Sequence, residues 1–408
     1  SGPSSGPGGI GPALQYLDAQ PVEAGQSLPL RLQLQPTRLT FELEPPRSQL
    51  RHARLPGWYV PMLLDAPRNT AYQRMFHAIR SDDLVLEIGA GCGLLSMFAA
   101  DAGAKQVVGC EIDAAIHAAG LEILERNGYS DRVKLLHKDC RALVADDLPG
   151  RADVVVFELF DCGLIGEGIL HFLAHVREHL AHSGTRYLPL GARVRACVVE
   201  HRIDRAGDID LNILNAFGFT PSYLNVDARK LAFRALCEPF DVFTFDFATA
   251  VAEPTQTAMR PTASESGIAG AVLFWFDLQL DADTWLSNAP DSAESCHWGQ
   301  ALQYLPEIAV SPEMPLPLLG RHQGSGISFA WHEPELPQRA FSRIPRADPA
   351  TFAQAMELEA QTRQLMQFCR ANPAEYSRLA DLAMRIAVDP AAHGIDPRVA
   401  QRFATMFI

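Results

Sequence analysis

Between residues 80 and 160, short apolar runs alternate with stretches of helical period. Val85–Ile88 reads as a buried strand, Leu94–Ala102 as a helix of small residues, and Gln106–Glu111 as a second strand. Ala114–Asn127 is helical in pattern, Val133–His137 is a third strand, and Asp153–Phe157 is a continuous apolar run of the kind found inside a parallel sheet. Strands separated by helices of this length predict a doubly wound α/β domain. Upstream, Leu28–Leu43 alternates as two short strands broken at Pro36–Thr37, and Trp58–Ile79 follows a helical period. After Pro189 the pattern becomes strand-like at Val194–His201, Phe240–Phe247 and Ala271–Leu280, and from Asp348 to Ile408 it is helical again. The predicted organisation is a flexible lead-in (1–27), a β unit (28–50), an α/β domain (51–190), a β-rich domain (191–340) and a helical segment (341–408). An irregular stretch, 212–231, interrupts the β-rich domain as a candidate projecting arm.

Composition narrows the function classes. The chain has 408 residues with 48% hydrophobic and 20% charged, so it can build a sizeable core and is not globally disordered. With 48 acidic against 35 basic residues the net charge is −13, which repels phosphate backbones and suits a cationic substrate. Only Lys105, Lys134, Lys138 and Lys230 are lysines, an arginine skew that reflects a GC-rich genome. The eight cysteines are scattered without a C-x-x-C pair, so neither a disulfide framework nor a zinc site is expected. No apolar run approaches the roughly 20 residues needed to span a bilayer, and Ser1–Gly9 is uncharged and does not read as a signal peptide. A soluble cytoplasmic protein with no nucleic-acid or membrane partner is expected.

The chemistry starts at Gly89, Gly91 and Gly93, just after the first strand, where the backbone can turn tightly and present free N–H groups to a ligand. Glu111 ends the second strand, where a carboxylate accepts both hydroxyls of a ribose. The dinucleotide fingerprint requires glycine where Leu94 stands. A nucleoside without a pyrophosphate, such as S-adenosylmethionine, therefore fits better than NAD. At the end of the third strand, Asp139 and Cys140 are placed to meet an adenine amino group. After the fourth strand, Glu158 and Glu167 bracket a loop carrying Gly163, Gly166 and Gly168. Two carboxylates brought face to face raise one another's pKa, and a guanidinium with its planar fork of donors removes the conflict.

These residues resemble the protein arginine N-methyltransferases. The segment VLEIGAGCGLLSMFAADAGAKQVVGCEID is similar to that family's cofactor motif, and ELFDCGLIGEG to its double-glutamate loop, in particular that of the monomethylating (type III) branch. MLLDAPRNTAY resembles the helix that closes over the cofactor, and Ser295-Cys296-His297-Trp298-Gly299-Gln300 the Thr-His-Trp loop. The resemblance implies a class I (Rossmann-like) S-adenosylmethionine-dependent methyltransferase domain followed by a β-barrel-like domain. It implies that Arg68 pairs with the cofactor carboxylate, with Gly89, Gly91, Gly93 and Glu111 around the cofactor. It further implies that Glu158 and Glu167 clamp the substrate guanidinium, that Asp65 and His297 form a proton-accepting pair, and that Trp298 packs the substrate wall. No metal is required. Arg141 falls where the family places an adenine-contacting glutamate, which promotes Asp139. The usual aromatic motif before the closing helix is missing, with Trp58–Tyr59 as its nearest substitute. A single module implies a homodimer, with 212–231 as the contact arm. The expected substrate is free L-arginine or a small guanidino metabolite. The alternatives are arginine side chains of proteins and, from another class, a catalytically silent cofactor-binding scaffold.

Overall fold

The computed structural model describes residues 30–35, 38–43 and 55–332, apart from 207, 217–221 and 293–295. The expected lead-in and the C-terminal helical segment lie outside the described residues. At the N-terminal side, β1 (Leu30–Gln35) and β2 (Arg38–Leu43) form an antiparallel ladder.

The α/β domain opens with two helices, α1 (Tyr59–Leu63) and α2 (Ala66–Met75), where the sequence pattern had indicated one. The break falls at Asp65, whose side chain caps α2 by accepting the Arg68 backbone N–H, with Pro67 in the first turn. Then follow β3 (Leu84–Ile88), α3 (Leu94–Asp101), β4 (Gln106–Glu111), α4 (Ala114–Arg126), β5 (Val133–His137), β6 (Ala152–Phe157), α5 (Ile169–His179) and β7 (Ala181–Leu188). Their sheet runs β5-β4-β3-β6-β7, parallel throughout. Every residue of β3 is buried, as a central strand covered on both faces demands. The chain goes from β3 to β4 on one side and later to β6 on the other. That order reverses at the carboxyl end of β3, the position where open α/β sheets bind their ligands.

The second half is antiparallel. It comprises β8 (Gly191–Glu200), the two-residue pair β9 (Arg205–Ala206) and β10 (Ile209–Asp210), β11 (Leu224–Val226), β12 (Arg234–Ala235) and β13 (Phe240–Asp246). It continues with β14 (Thr255–Met259), β15 (Gly267–Gln279), β16 (Trp285–Ser287), β17 (Gln300–Val310), β18 (Leu318–His322) and β19 (Ile327–Trp331). β15 is the spine of a seven-stranded sheet, paired with β8, β16 and β17, and β14-β18-β19 form a second sheet. The stretch read as an arm is only partly irregular: Leu224–Val226 pairs with β17 along one edge of the larger sheet.

Candidate active site

The glycine loop after β3 is built as the sequence requires. Gly89, Gly91 and Gly93 have φ of 70°, 56° and 84°, the left-handed region that L side chains avoid. At Gly91 the crowding is also steric, because an added Cβ would sit inside contact distance of the Tyr59 hydroxyl. That hydroxyl accepts the Cys92 backbone N–H at 2.8 Å, so α1 is fastened over the loop by one buried bond. Tyr59 thus holds the glycine loop, a contact the sequence reading missed, having noted the residue only as part of a substitute for a missing motif. Its neighbour Trp58 is exposed.

Glu111, at the end of β4, accepts Gly91 N–H at 2.9 Å and Asp113 N–H at 2.7 Å. Burial raises its pKa, against the lowering effect of those bonds. The carboxylate is thus buried and held beside the glycine loop. Beneath the loop lies an acid the sequence reading passed over. Glu87 of β3 is fully enclosed and bonded to the Ser96 hydroxyl, and burial pushes its pKa up to about 8. Its signal was a glutamate inside an otherwise apolar central strand.

Asp139 and Cys140 both have partners within the chain. Asp139 caps a short 3₁₀ turn and binds Arg141 through its backbone N–H at 2.8 Å, its Nε at 3.0 Å and its Nη2. Burial raises the Asp139 pKa, but the Arg141 bonds outweigh it and leave the group below its ordinary value. Cys140 is buried beside Cys110, which together with desolvation drives its thiol pKa upward. The Arg141 partner stands two residues away in the sequence.

Beside the double-glutamate loop, four expected residues come together, Arg68, Glu158, Asp65 and His297. Arg68 is buried, and its Nε and Nη2 approach the Glu158 carboxylate oxygens at 3.4 and 3.3 Å. Its Nη1 donates to Asn69 Oδ1 at 2.8 Å, and its guanidinium lies 5.2 Å from the Tyr72 ring centroid. Asp65 Oδ2 accepts from both the backbone N–H and Nδ1 of His297, at 2.6 and 2.9 Å, across 232 residues of chain. Burial works against the Asp65 charge, but the His297 side chain and two backbone N–H groups overcome it, so its pKa is lowered. An ionised carboxylate only accepts, which puts the hydrogen on His297 Nδ1 and leaves Nε2 facing Glu158 Oε1 at 3.7 Å. Trp298 is buried, donates its Nε1–H to Phe160 O at 2.9 Å and packs on His297 and Phe276. It supports the double-glutamate loop from below. Glu167 is exposed at the far end of that loop, next to Gly168, the N-cap of α5. Among the described residues, no cluster of His, Cys, Asp or Glu is arranged to hold a metal ion.

Comparisons with known proteins bear on both halves. The family described as arginine methyltransferase oligomerization subdomain matches residues 208–313, and ribosomal protein L11 methyltransferase matches 70–188. An arginine N(omega)-methyltransferase of Streptomyces achromogenes subsp. streptozoticus is 33% identical over 301 residues, which is 71% of this chain and 82% of that protein. Protein arginine N-methyltransferase 9 of Homo sapiens is 30% identical over 62% of this chain and 35% of its own length. Protein arginine N-methyltransferase 7 of Mus musculus is 30% identical over 61% and 42%. The chain thus spans less than half of those two mammalian relatives. The solved Trypanosoma brucei PRMT1 enzyme–prozyme heterotetrameric complex with AdoHcy shares the fold, with a TM-score of 0.54 at 21% identity over 65% of this chain and 87% of that one.

The switch-point glycine loop, the buried acid at the end of β4 and these matches define a class I S-adenosylmethionine-dependent methyltransferase. The second, antiparallel half narrows that class further. The chain belongs to the protein arginine N-methyltransferase family.

Proposed function

We propose that the protein transfers a methyl group to a guanidino nitrogen of free L-arginine or a small guanidino metabolite and stops at the monomethyl product. One observation carries the reading. The buried Glu158 carboxylate already takes a guanidinium fork from within the chain, Arg68 Nε and Nη2 at 3.4 and 3.3 Å. Its surroundings are therefore suited to planar, charge-assisted recognition of that group. The Streptomyces relative, which this chain matches over 82% of its length, bears the name arginine N(omega)-methyltransferase and supports the small-molecule substrate. The names of the mammalian relatives favour the second reading, arginine side chains of proteins.

When bound, S-adenosylmethionine supplies an electrophilic methyl on a sulfonium centre. The chain supplies the rest. Arg68 offers a buried cation to the cofactor's carboxylate, and Glu111 receives ribose hydroxyls. Glu158, with Glu167 as the second arm of the clamp, holds the guanidinium flat and in line, which removes orientational freedom before reaction. A protonated guanidinium nitrogen that gains a methyl must lose a proton. His297 Nε2 is the acceptor, its tautomer fixed by Asp65. We further propose a cytoplasmic homodimer. The seven cysteines among the described residues are free thiols, which supports a reducing compartment. The match of 208–313 to an oligomerization subdomain supports self-association.

The test is methyl transfer from labelled cofactor to L-arginine and to an arginine-glycine-rich peptide, with products identified by mass spectrometry. Monomethylarginine from the free amino acid is expected. Transfer to the peptide alone moves the assignment to proteins, and transfer to neither with cofactor bound overturns it. Glu158→Gln should lower kcat by about 100-fold or more while cofactor binding persists.

A further inference from the structure

The loop Glu158–Gly168 carries a glutamate near each end, and a third acid between them sets its shape. Asp161 Oδ1 accepts the backbone N–H groups of Gly163 at 3.2 Å and Gly166 at 2.8 Å, while Oδ2 accepts the Tyr223 hydroxyl. Tyr223 belongs to the other half of the molecule, immediately before β11, and its ring stands edge-on to Phe274 with centroids 5.2 Å apart. The two glycines make room for this arrangement. A Cβ on Gly166 would collide with the Asp161 carboxylate, and one on Gly163 would lie 2.7 Å from the Tyr223 ring. Neither has a positive φ, so their small size rather than their turning freedom is in use. Between them, buried Leu164 is held at φ 79°, a conformation leucine keeps only when its surroundings impose it.

We propose that Asp161 and Tyr223 are a positioning pair for methyl transfer, their bond drawing the loop against the β-rich half and fixing where Glu167 stands relative to Glu158. The inference rests on the reading of those glutamates as a guanidinium clamp. It places neither Asp161 nor Tyr223 in contact with the reacting atoms. A carboxylate with three donors from two parts of the chain holds a loop in one geometry, and catalysis by alignment is lost when that geometry loosens. The phenol also joins the loop to the subdomain matched at 208–313, so loop order depends on that subdomain being in place.

Tyr223→Phe deletes one O–H and keeps the ring. In the full-length protein, kcat for L-arginine methylation should fall about 10-fold or more, while the dissociation constant for S-adenosylhomocysteine stays within about twofold and Tm barely moves. Gly166→Ala, which wedges against the Asp161 carboxylate from inside the loop, should reproduce that split. Amide hydrogen exchange on the same proteins should quicken in a peptide covering 158–167 and stay unchanged in one covering 85–95. This second readout needs no turnover. If the wild-type protein methylates no arginine, the clamp reading fails on its own, and the exchange data still decide the Asp161–Tyr223 bond. Wild-type kcat with unchanged exchange in Tyr223→Phe overturns the proposal. So does a parallel loss of cofactor affinity and turnover, the mark of a merely structural role.

Discussion

Asp65 shows how much one side chain does here. It stops one helix from running into the next, caps α2 through Arg68 N–H, and receives both the backbone and the ring of His297. Glu87 presents the opposite economy. It is buried at the centre of β3 with its pKa pushed up to about 8, while the bond from Ser96 and the charge of Arg68 act to lower it and Glu111 to raise it. The folded protein therefore keeps a proton that the unfolded chain releases near pH 4.5. Nothing is lost below that pH, where both states are protonated. Between there and about pH 8, stability declines by on the order of 1 kcal/mol per pH unit at most. Thermal melts of Glu87→Gln across pH 5 to 8 should show a flatter fall in Tm than wild type. Parallel curves would mean that Glu87 is ionised in the fold.

At the scale of elements, the glycine loop is the most constrained part of the site. Gly91→Ala imposes a Cβ on a left-handed residue and presses it into the Tyr59 hydroxyl that fastens α1 to Cys92 N–H. Calorimetry should record a loss of S-adenosylmethionine affinity of about 10-fold or more; an affinity equal to wild type would show that α1 shifts at no cost. The same elements show what a sequence makes readable. Gln106–Glu111 and Val133–His137 were read with the bounds the structure gives, the inner β4 because it is a nearly continuous buried run and the edge strand β5 because Val133, Leu135 and Leu136 stand in a short segment of apolar residues. β7 escaped notice because His182, Ser183 and Gly184 are exposed and interrupt its apolar pattern. α5 escaped because histidines and charges crowd its outer face. β17 carries Pro306 and Glu307 within its run. In the site, Glu111 and Glu158 announced themselves by standing at strand ends. The Asp65–His297 pair spans 232 residues, and no local pattern encodes such a contact; only resemblance brought it into view. Asp161 was overlooked although it stood inside the motif, because its partners are two backbone amides and a distant tyrosine.

For the molecule as a whole, the expected arm and its flanks leave Ile209, Leu214 and Leu224 exposed on the segment matched to an oligomerization subdomain. Apolar side chains in such a segment are suited to burial against a second copy. Analytical ultracentrifugation should find a species of twice the 44.7 kDa chain mass. Ile209→Asp combined with Leu214→Asp should shift it to the monomer. A monomeric wild type that is fully active would remove self-association from the account.

The indole of Trp298 holds Phe160 O from across the junction between the two halves. The same ring lies against His297, with centroids 4.2 Å apart. A compound that prised the indole out of its seat would free Phe160 O and loosen His297 together, disturbing the loop and the histidine while resembling neither the nucleoside nor the amino acid.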